Sequence, residues 1–254
     1  PDQVRVLADS RFGIGCDQLI VIEPAGPGHA GADLFLRFYN SDGSEAGACG
    51  NGSRCAAALL FAEAPRERLD IATLGGRLEA RSAIDGQVAI DMGAPGLDWQ
   101  SIPLAHDIDT LHLPLAAGSL TDPVAVSMGN PHAVFFVHDA AAIDLGALGP
   151  GLETDPLFPE RANISVVQVA TPDHLILRVW ERGAGCTYAC GTAACASLVA
   201  AVRRGLCDRK ARISQPGGDM EIEWRATDDH VIMTGPVAVS FMGMTEVPAL
   251  GDVA

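Results

Sequence analysis

Two cysteines stand in the same frame, Ala48-Cys49-Gly50 and Ala189-Cys190-Gly191, with 190 − 49 = 141 positions between them. Each frame lies where a glycine-bearing loop meets an Ala-rich stretch that reads as a helix, residues 51–62 and 192–202. A helix N-terminus carries unpaired N–H groups and partial positive charge, which hold a carboxylate and lower a thiol's pKa. From a reference near ~8.5, somewhat depressed there, one such thiol can be thiolate while the other stays protonated around neutral pH. Two like groups suit inversion at a carbon, where one removes a proton from one face and the other delivers a proton to the far face. Hydrolysis and group transfer have no need of a matched pair. A lone free cysteine is usually a small buried hydrophobe, and Cys55 and Cys195, a turn or so further along, are read that way. The matched pair reverses that preference for Cys49 and Cys190.

The flanking residues differ between the copies. Asn40-Ser41-Asp42-Gly43 closes a strand-like run in the first, and Glu181-Arg182-Gly183 takes the same place in the second. Asp42-Gly43 is ordinary turn chemistry, and Asn40 can simply initiate it. Arg182 is not turn chemistry, and a guanidinium beside a reactive loop suits a second carboxylate. Asn130 and His132 in Gly129-Asn130-Pro131-His132, and Asn163 after Arg161-Ala162, are further candidates, although any one alone is more often a turn or capping residue. His29, His106, His112, His138, His174 and His230 fall in loops or at strand ends and are given no role. The 7 cysteines are too sparse and odd in number for a secreted disulfide framework, so reduced thiols are expected. Cys49-x5-Cys55, Cys186-x3-Cys190 and Cys190-x4-Cys195 fit no common zinc spacing, and no metal site is expected.

The elements that position these residues are themselves repeated. Residues 33–40, DLFLRFYN, match 174–181, HLILRVWE, at an offset of 141. ACGNGSRC from Ala48 matches ACGTAAC from Ala189 at 141, IATLGGRLE from Ile71 matches ISQPGGDME from Ile213 at 142, and IDMG from Ile90 matches IMTG from Ile232 at 142. Four segments in one order and nearly one register mark a duplicated domain rather than a short solenoid repeat. Each copy reads as a strand (34–39; 175–180), a loop, a helix, then strands around a Gly-Gly turn (69–74 and 77–81; 212–215 and 219–224). The expected class is α+β in two similar lobes, residues 1–118 and 119–254, with a single mixed sheet as the alternative. The second lobe opens with a strand-like run at 123–128. Its SMGNPHAVFFV segment, residues 127–137, has a counterpart that falls upstream of Pro1, so the symmetry predicts a further strand segment there.

Length and composition set outer limits. At 254 residues and 48% hydrophobic content, the chain can bury one large core or two modest ones. A net charge of -15 argues against general attraction to nucleic acid or an anionic membrane. No apolar run approaches the ~20 residues of a spanning helix, and residues 1–11 hold no signal-peptide core, so a cytoplasmic chain is expected. The sequence leaves the oligomeric state open, a homodimer among the options.

Several runs together resemble the diaminopimelate epimerase family. They are Gly13-Ile14-Gly15-Cys16-Asp17-Gln18, Asn40-Ser41-Asp42-Gly43-Ser44-Glu45 with Cys49-Gly50-Asn51-Gly52, Ser127-Met128-Gly129-Asn130-Pro131-His132, Arg161-Ala162-Asn163, and Glu181-Arg182-Gly183-Ala184-Gly185 with Ala189-Cys190-Gly191-Thr192. The resemblance runs in order from about Leu7 to Gly243. It implies a two-lobed fold with the active site in a cleft, no cofactor, and interconversion of LL- and meso-diaminopimelate on the route to lysine and peptidoglycan. Carried over by position, Cys49 and Cys190 match the acid/base pair, and His132 and Glu181 match groups that help set their protonation. Gly50, Asn51, Gly191 and Thr192 match backbone amides on the α-carboxylate. Asn40, Asn163 and Arg182 match readers of the distal amino and carboxylate groups, with Asn130 and Gln18 beside them. The family's early Gly-Asn-Asp-Phe segment is absent from this sequence, Cys186 stands where the family often has glutamate, and Cys16 where it often has phenylalanine. The alternatives are a proline, hydroxyproline or histidine racemase or isomerase of the same fold, a thiol redox or metal-binding module, and an inactive thiol-rich binding protein. Arg182 separates the first of these, since a substrate without a second carboxylate has no use for it.

Overall fold

A computed structural model describes residues 1–246. The chain divides into two compact units, Pro1–Ile90 with the described residues after 235, and Asp91–Gly235. In the first unit the order is α1 (Asp2–Ala8), β1 (Gln18–Pro24), β2 (Leu34–Asn40), β3 (Glu45–Ala46), α2 (Gly50–Glu63), β4 (Arg68–Thr73), β5 (Gly76–Ser82) and β6 (Val88–Asp91), whose last residue begins the second unit. The strands line up as β1-β2-β4-β5-β6, with β3 pairing β2. Leu36, Phe38, Leu69, Ile71, Ala80 and Ile90 are fully buried in this sheet. Its α2 packs close: a Cβ on Gly52 would come within 2.9 Å of the Ile20 side chain and 3.0 Å of Phe38, so a larger residue there must push those side chains aside.

The second unit holds β7 (Ala116–Ala117), β8 (Leu120–Thr121), β9 (Val124–Ser127), β10 (Pro131–Val137), α3 (Leu145–Glu153), β11 (Asn163–Thr171), β12 (His174–Glu181), β13 (Gly185–Thr187), α4 (Gly191–Arg203), β14 (Lys210–Gln215), β15 (Gly218–Trp224) and β16 (Val231–Gly235). The main sheet runs β16-β15-β14-β12-β11-β10-β9, with β13 pairing β12. Residues 193–201 of α4 are buried throughout, and the helix packs against β9, β10 and β15. A separate cluster gathers Phe135, Ile164 and Val166 from the sheet, Leu145 and Leu152 from α3, and Ile102, Leu104, Leu113 and Leu115. Those last four residues explain why the division falls after Ile90 rather than near residue 118. The loop that links the repeats in sequence buries its leucines and isoleucine in the core of the second unit. Residues 247–254 of the lobe expected to end the chain lie outside the described residues.

The repeat is visible in the strand registers. Leu34 pairs Ile71 in parallel as Leu175 pairs Ile213, Ile71 pairs Leu78 as Ile213 pairs Met220, and Phe38 pairs Ala46 as Val179 pairs Thr187. By the same construction Gln18 opposite Asn40 corresponds to Asn163, which lies one residue before the Ile164–Trp180 pair. Strands β9 and β10 have no counterpart in the first unit among the described residues. Helix α3 was not read from the sequence. Its LGALGPGLE run holds three glycines and a proline, a poor helix former. Asp144 caps it by accepting from Ala147 N–H at 3.1 Å, and Gly149 lets it approach Trp180, whose ring would lie 2.5 Å from an added Cβ.

Candidate active site

Both frame cysteines are N-caps, Cys49 of α2 and Cys190 of α4, with similar extended backbone (φ −147, ψ 113; φ −131, ψ 118). In each unit the loop is pinned from behind by the Gly-Gly hairpin. The Gly75 amide donates to the Gly47 carbonyl at 2.7 Å, and the Gly217 amide donates to the Tyr188 carbonyl at 2.7 Å. The same approach leaves little room for side chains, because a Cβ on Gly75 would meet the Gly47 backbone at 3.1 Å and one on Gly217 the Tyr188 carbonyl at 3.0 Å, so the backbone would have to give. At N1 and N2 stand Gly50 and Asn51, and Gly191 and Thr192, positions whose amides an α-helix does not itself satisfy.

In the first unit the Cys49 sulfur accepts from Gly52 N–H at 3.4 Å. Gln18 Nε2 donates to Asn40 Oδ1 at 3.2 Å, and Asn40 Nδ2 donates to Ser44 Oγ at 3.0 Å, so strand pairing sets both amides side by side. The Gln18 side chain also reaches the start of α2 at Gly52. Oδ1 of Asn51 is buried without a hydrogen-bond partner among the described residues.

In the second unit the candidates form a chain of contacts. Asn130 Nδ2 donates to Thr192 Oγ1 at 3.4 Å, Asn130 Oδ1 faces His132 Nε2 at 2.9 Å, and Asn163 Oδ1 accepts the Arg182 amide at 2.8 Å. Asn163 Nδ2, a donor only, also lies 3.4 Å from His132 Nε2, but the shorter contact to the Asn130 oxygen assigns the proton to Nε2 and leaves the buried Nδ1 without a partner among the described residues. Complete burial, with the Arg182 charge adding to it, pushes His132 down to about 3, which keeps the imidazole neutral. The exposed Arg182 guanidinium donates to the Glu160 carbonyl at 2.8 Å. Cys190 is buried, and burial raises its thiol far above the usual range, with the Glu181 charge and a hydrogen bond to Glu181 adding to the rise. Thr192 Oγ1, 3.5 Å from the sulfur, works in the opposite direction.

Three supporting residues escaped the sequence reading. Thr187 Oγ1 donates to Glu181, which fixes that carboxylate from the neighbouring strand β13. Gln215 Oε1 accepts the Cys190 amide at 2.9 Å. Ser44 holds Asn40. Alignment of the repeats puts Thr73 opposite Gln215, and Thr73 instead bonds its own hairpin at Gly75 and Gly76, so the duplication offered no signal for Gln215. Cys16 is half-buried and its thiol is raised by desolvation and by Asp17. Cys186 is exposed on β13.

Comparison with known proteins agrees with the residue pattern. The model of the diaminopimelate epimerase family matches residues 1–97 and 124–240. A diaminopimelate epimerase of Rhodospirillum centenum is 55% identical over 94% of this chain and 81% of its own length. One of Gluconobacter oxydans is 54% identical over 95% of this chain and 88% of its own length. Among solved structures, a phenazine-biosynthesis PhzC/PhzF-type protein of Clostridium difficile shares the fold at a TM-score of 0.68 with 13% identity, over 96% of this chain and 87% of its own. With the matched residues spanning both repeats and the thiols of both helices, the chain belongs to the diaminopimelate epimerase family.

Proposed function

We propose that the chain interconverts LL- and meso-2,6-diaminopimelate, without a cofactor, using Cys49 and Cys190 as the two acid/base groups. The observation that supports the mechanism most directly is the repeated N-cap thiol, built by the same strand registers in both units. In the LL-to-meso direction the Cys49 thiolate takes the α-proton. The electron pair left on the α-carbon spreads into the α-carboxylate, whose oxygens the N1 and N2 amides of Gly50, Asn51, Gly191 and Thr192 can hold. Cys190, kept protonated by burial and by Glu181, delivers its proton to the other face. For the return reaction Glu181 is the acceptor that lets Cys190 become thiolate, and His132, held neutral by burial, is a further group that helps set thiol protonation. Asn40, Asn163 and Arg182 read the distal amino and carboxylate groups, with Gln18 and Asn130 beside them. This reading places the enzyme in the cytoplasm, on the route to lysine and peptidoglycan precursors, and a homodimer accords with it. Among the described residues no helix is long and apolar enough to cross a membrane.

The test is incubation with LL-diaminopimelate in D2O, following inversion and α-deuterium together. Inversion with about one deuteron gained per inverted centre is expected from an acid that exchanges with solvent before delivery. Inversion with the original hydrogen quantitatively retained would sink the two-group scheme, and no inversion would sink the activity.

Arg182→Lys tests distal recognition. A guanidinium presents two parallel donors to a carboxylate and an ammonium presents a point, so kcat/KM should fall by about 10-fold or more although the charge is kept. An unchanged kcat/KM for diaminopimelate would remove Arg182 from the carboxylate.

A further inference from the structure

We infer that Glu153, at the C-terminal end of α3, is a positioning residue that clamps the Glu181-Arg182 pair and ties it to Asn163. The inference rests on the proposed roles of Arg182 and Asn163. Glu153 is only 6% exposed, an unusual place for a carboxylate, and nothing in the duplication or the spacing of the cysteines points to it. Its two oxygens are both engaged. Oε2 accepts from the Trp180 indole N–H at 2.6 Å, and Oε1 accepts from the Gly183 amide at 3.1 Å, with Arg161 at 3.5 Å. Trp180 and Gly183 are the residues immediately before and after Glu181-Arg182, so one carboxylate brackets the pair.

The backbone of the same residue acts on the adjoining strand. The Glu153 carbonyl accepts the Ala162 amide at 3.2 Å, and the next residue, Asn163, accepts the Arg182 amide on its side chain. One turn of helix thereby holds both strand ends that carry the distal readers. Helix α3 is itself locked in place, since Gly149 lies against the Trp180 ring. A packing role alone would call for a residue of similar volume and no particular pattern of acceptors. The pattern seen is acceptor-only on both oxygens, which glutamate satisfies and glutamine does not.

Glu153→Gln is therefore the informative change. The amide keeps the shape but turns one acceptor into a donor facing the indole N–H or the Gly183 N–H, and the 180–183 turn must move to relieve it. We expect KM for diaminopimelate to rise by about 10-fold or more, a larger change than any fall in kcat, since Glu181 keeps its bond from Thr187 while the distal readers shift. Trp180→Phe removes one donor and should raise KM by a few-fold, and the double variant should be no worse than Glu153→Gln alone, because both act through the same contact. Activity loss that tracks only a lower Tm, with KM unchanged in the folded fraction, would overturn the inference. So would KM effects that multiply in the double variant. If Glu153→Gln does not fold, an unchanged KM in Trp180→Phe overturns it equally. The wild-type assay separates the two readings. A wild type that binds diaminopimelate without inverting it would sink the proposed reaction, and calorimetric Kd values for the same variants would then decide the clamp on the same expected ratios.

Discussion

Cys49→Ala and Cys190→Ala are each expected to lose epimerisation by at least about 10²- to 10⁴-fold, the range that one positioned acid or base contributes, while diaminopimelate still binds. Inversion needs a base for one face and an acid for the other, so either loss stops the full reaction in both directions. The proposed binding groups are untouched: the N1 and N2 amides belong to the backbone, and the Arg182 amide is held by Asn163 at the start of β11. What survives in each variant is half the chemistry. A single thiolate can remove a proton and return a solvent-derived one on the same face, giving exchange without inversion. With Cys49 serving the L centre and Cys190 the D centre, Cys190→Ala should exchange α-hydrogen from LL-substrate and Cys49→Ala from the D centre of meso-substrate. Deuterium uptake from D2O, measured for each variant with each isomer, reads this directly. Near wild-type epimerisation by either variant would end the two-thiol mechanism and make His132 or Glu181 a direct base.

A second large effect is expected on stability at acid pH. His132 is held down to about 3 in the folded protein, against about 6.5 in an unfolded chain. Between those values the unfolded state binds a proton that the folded state refuses, so stability must fall as pH falls. The contribution is fully present above pH ~6.5 and is lost progressively toward pH ~3, up to roughly 4 to 5 kcal/mol at about 1.4 kcal/mol per pKa unit. That is a large share of a typical domain's stability. The check is urea unfolding at several pH values between 7 and 4 for wild type and His132→Gln, which keeps a donor toward Asn130 without a basic nitrogen. The wild-type curve should fall more steeply than that of the variant. Parallel curves would show that His132 is not the group responsible.

Much of this was legible because the chain carries its own comparison. Leu34 and Leu175, Gly75 and Gly217, and Cys49 and Cys190 recur in register, and an offset of 141 or 142 delivers strands, hairpins and helix starts without any further information. Where the copies diverge, the signal fades. Gln215 faces Thr73 in the alignment and bonds a different partner, so its tie to the Cys190 amide is invisible until the backbone is traced. Glu153 ends a helix whose place in the first repeat is taken by α1, where Ala8 stands ten residues before the next strand as Glu153 does, so the duplication shows no carboxylate there, and the glycines and proline of α3 read as loop. The loop of residues 92–115 carries no regular periodicity, yet Ile102, Leu104, Leu113 and Leu115 seat it in one core, and this moves the unit boundary away from the position suggested by the repeat. Ionisation was the least legible layer. A helix N-terminus lowers a thiol in general, but burial and Glu181 reverse that at Cys190, and neither burial nor the facing carboxylate can be read from Ala-Cys-Gly.

The paired contacts behind the cysteines, Gly75 to Gly47 and Gly217 to Tyr188, also make the two halves separately observable. Each is a short bond from a hairpin amide to the carbonyl two residues before one of the paired N-cap cysteines. Its protection from hydrogen exchange therefore reports whether that loop is closed, without reference to turnover. A variant that is inactive with both glycine amides still slow to exchange has lost chemistry. One that frees only the Gly217 amide has opened the loop of one repeat while its twin stays shut, a condition that an activity assay would score as the same zero.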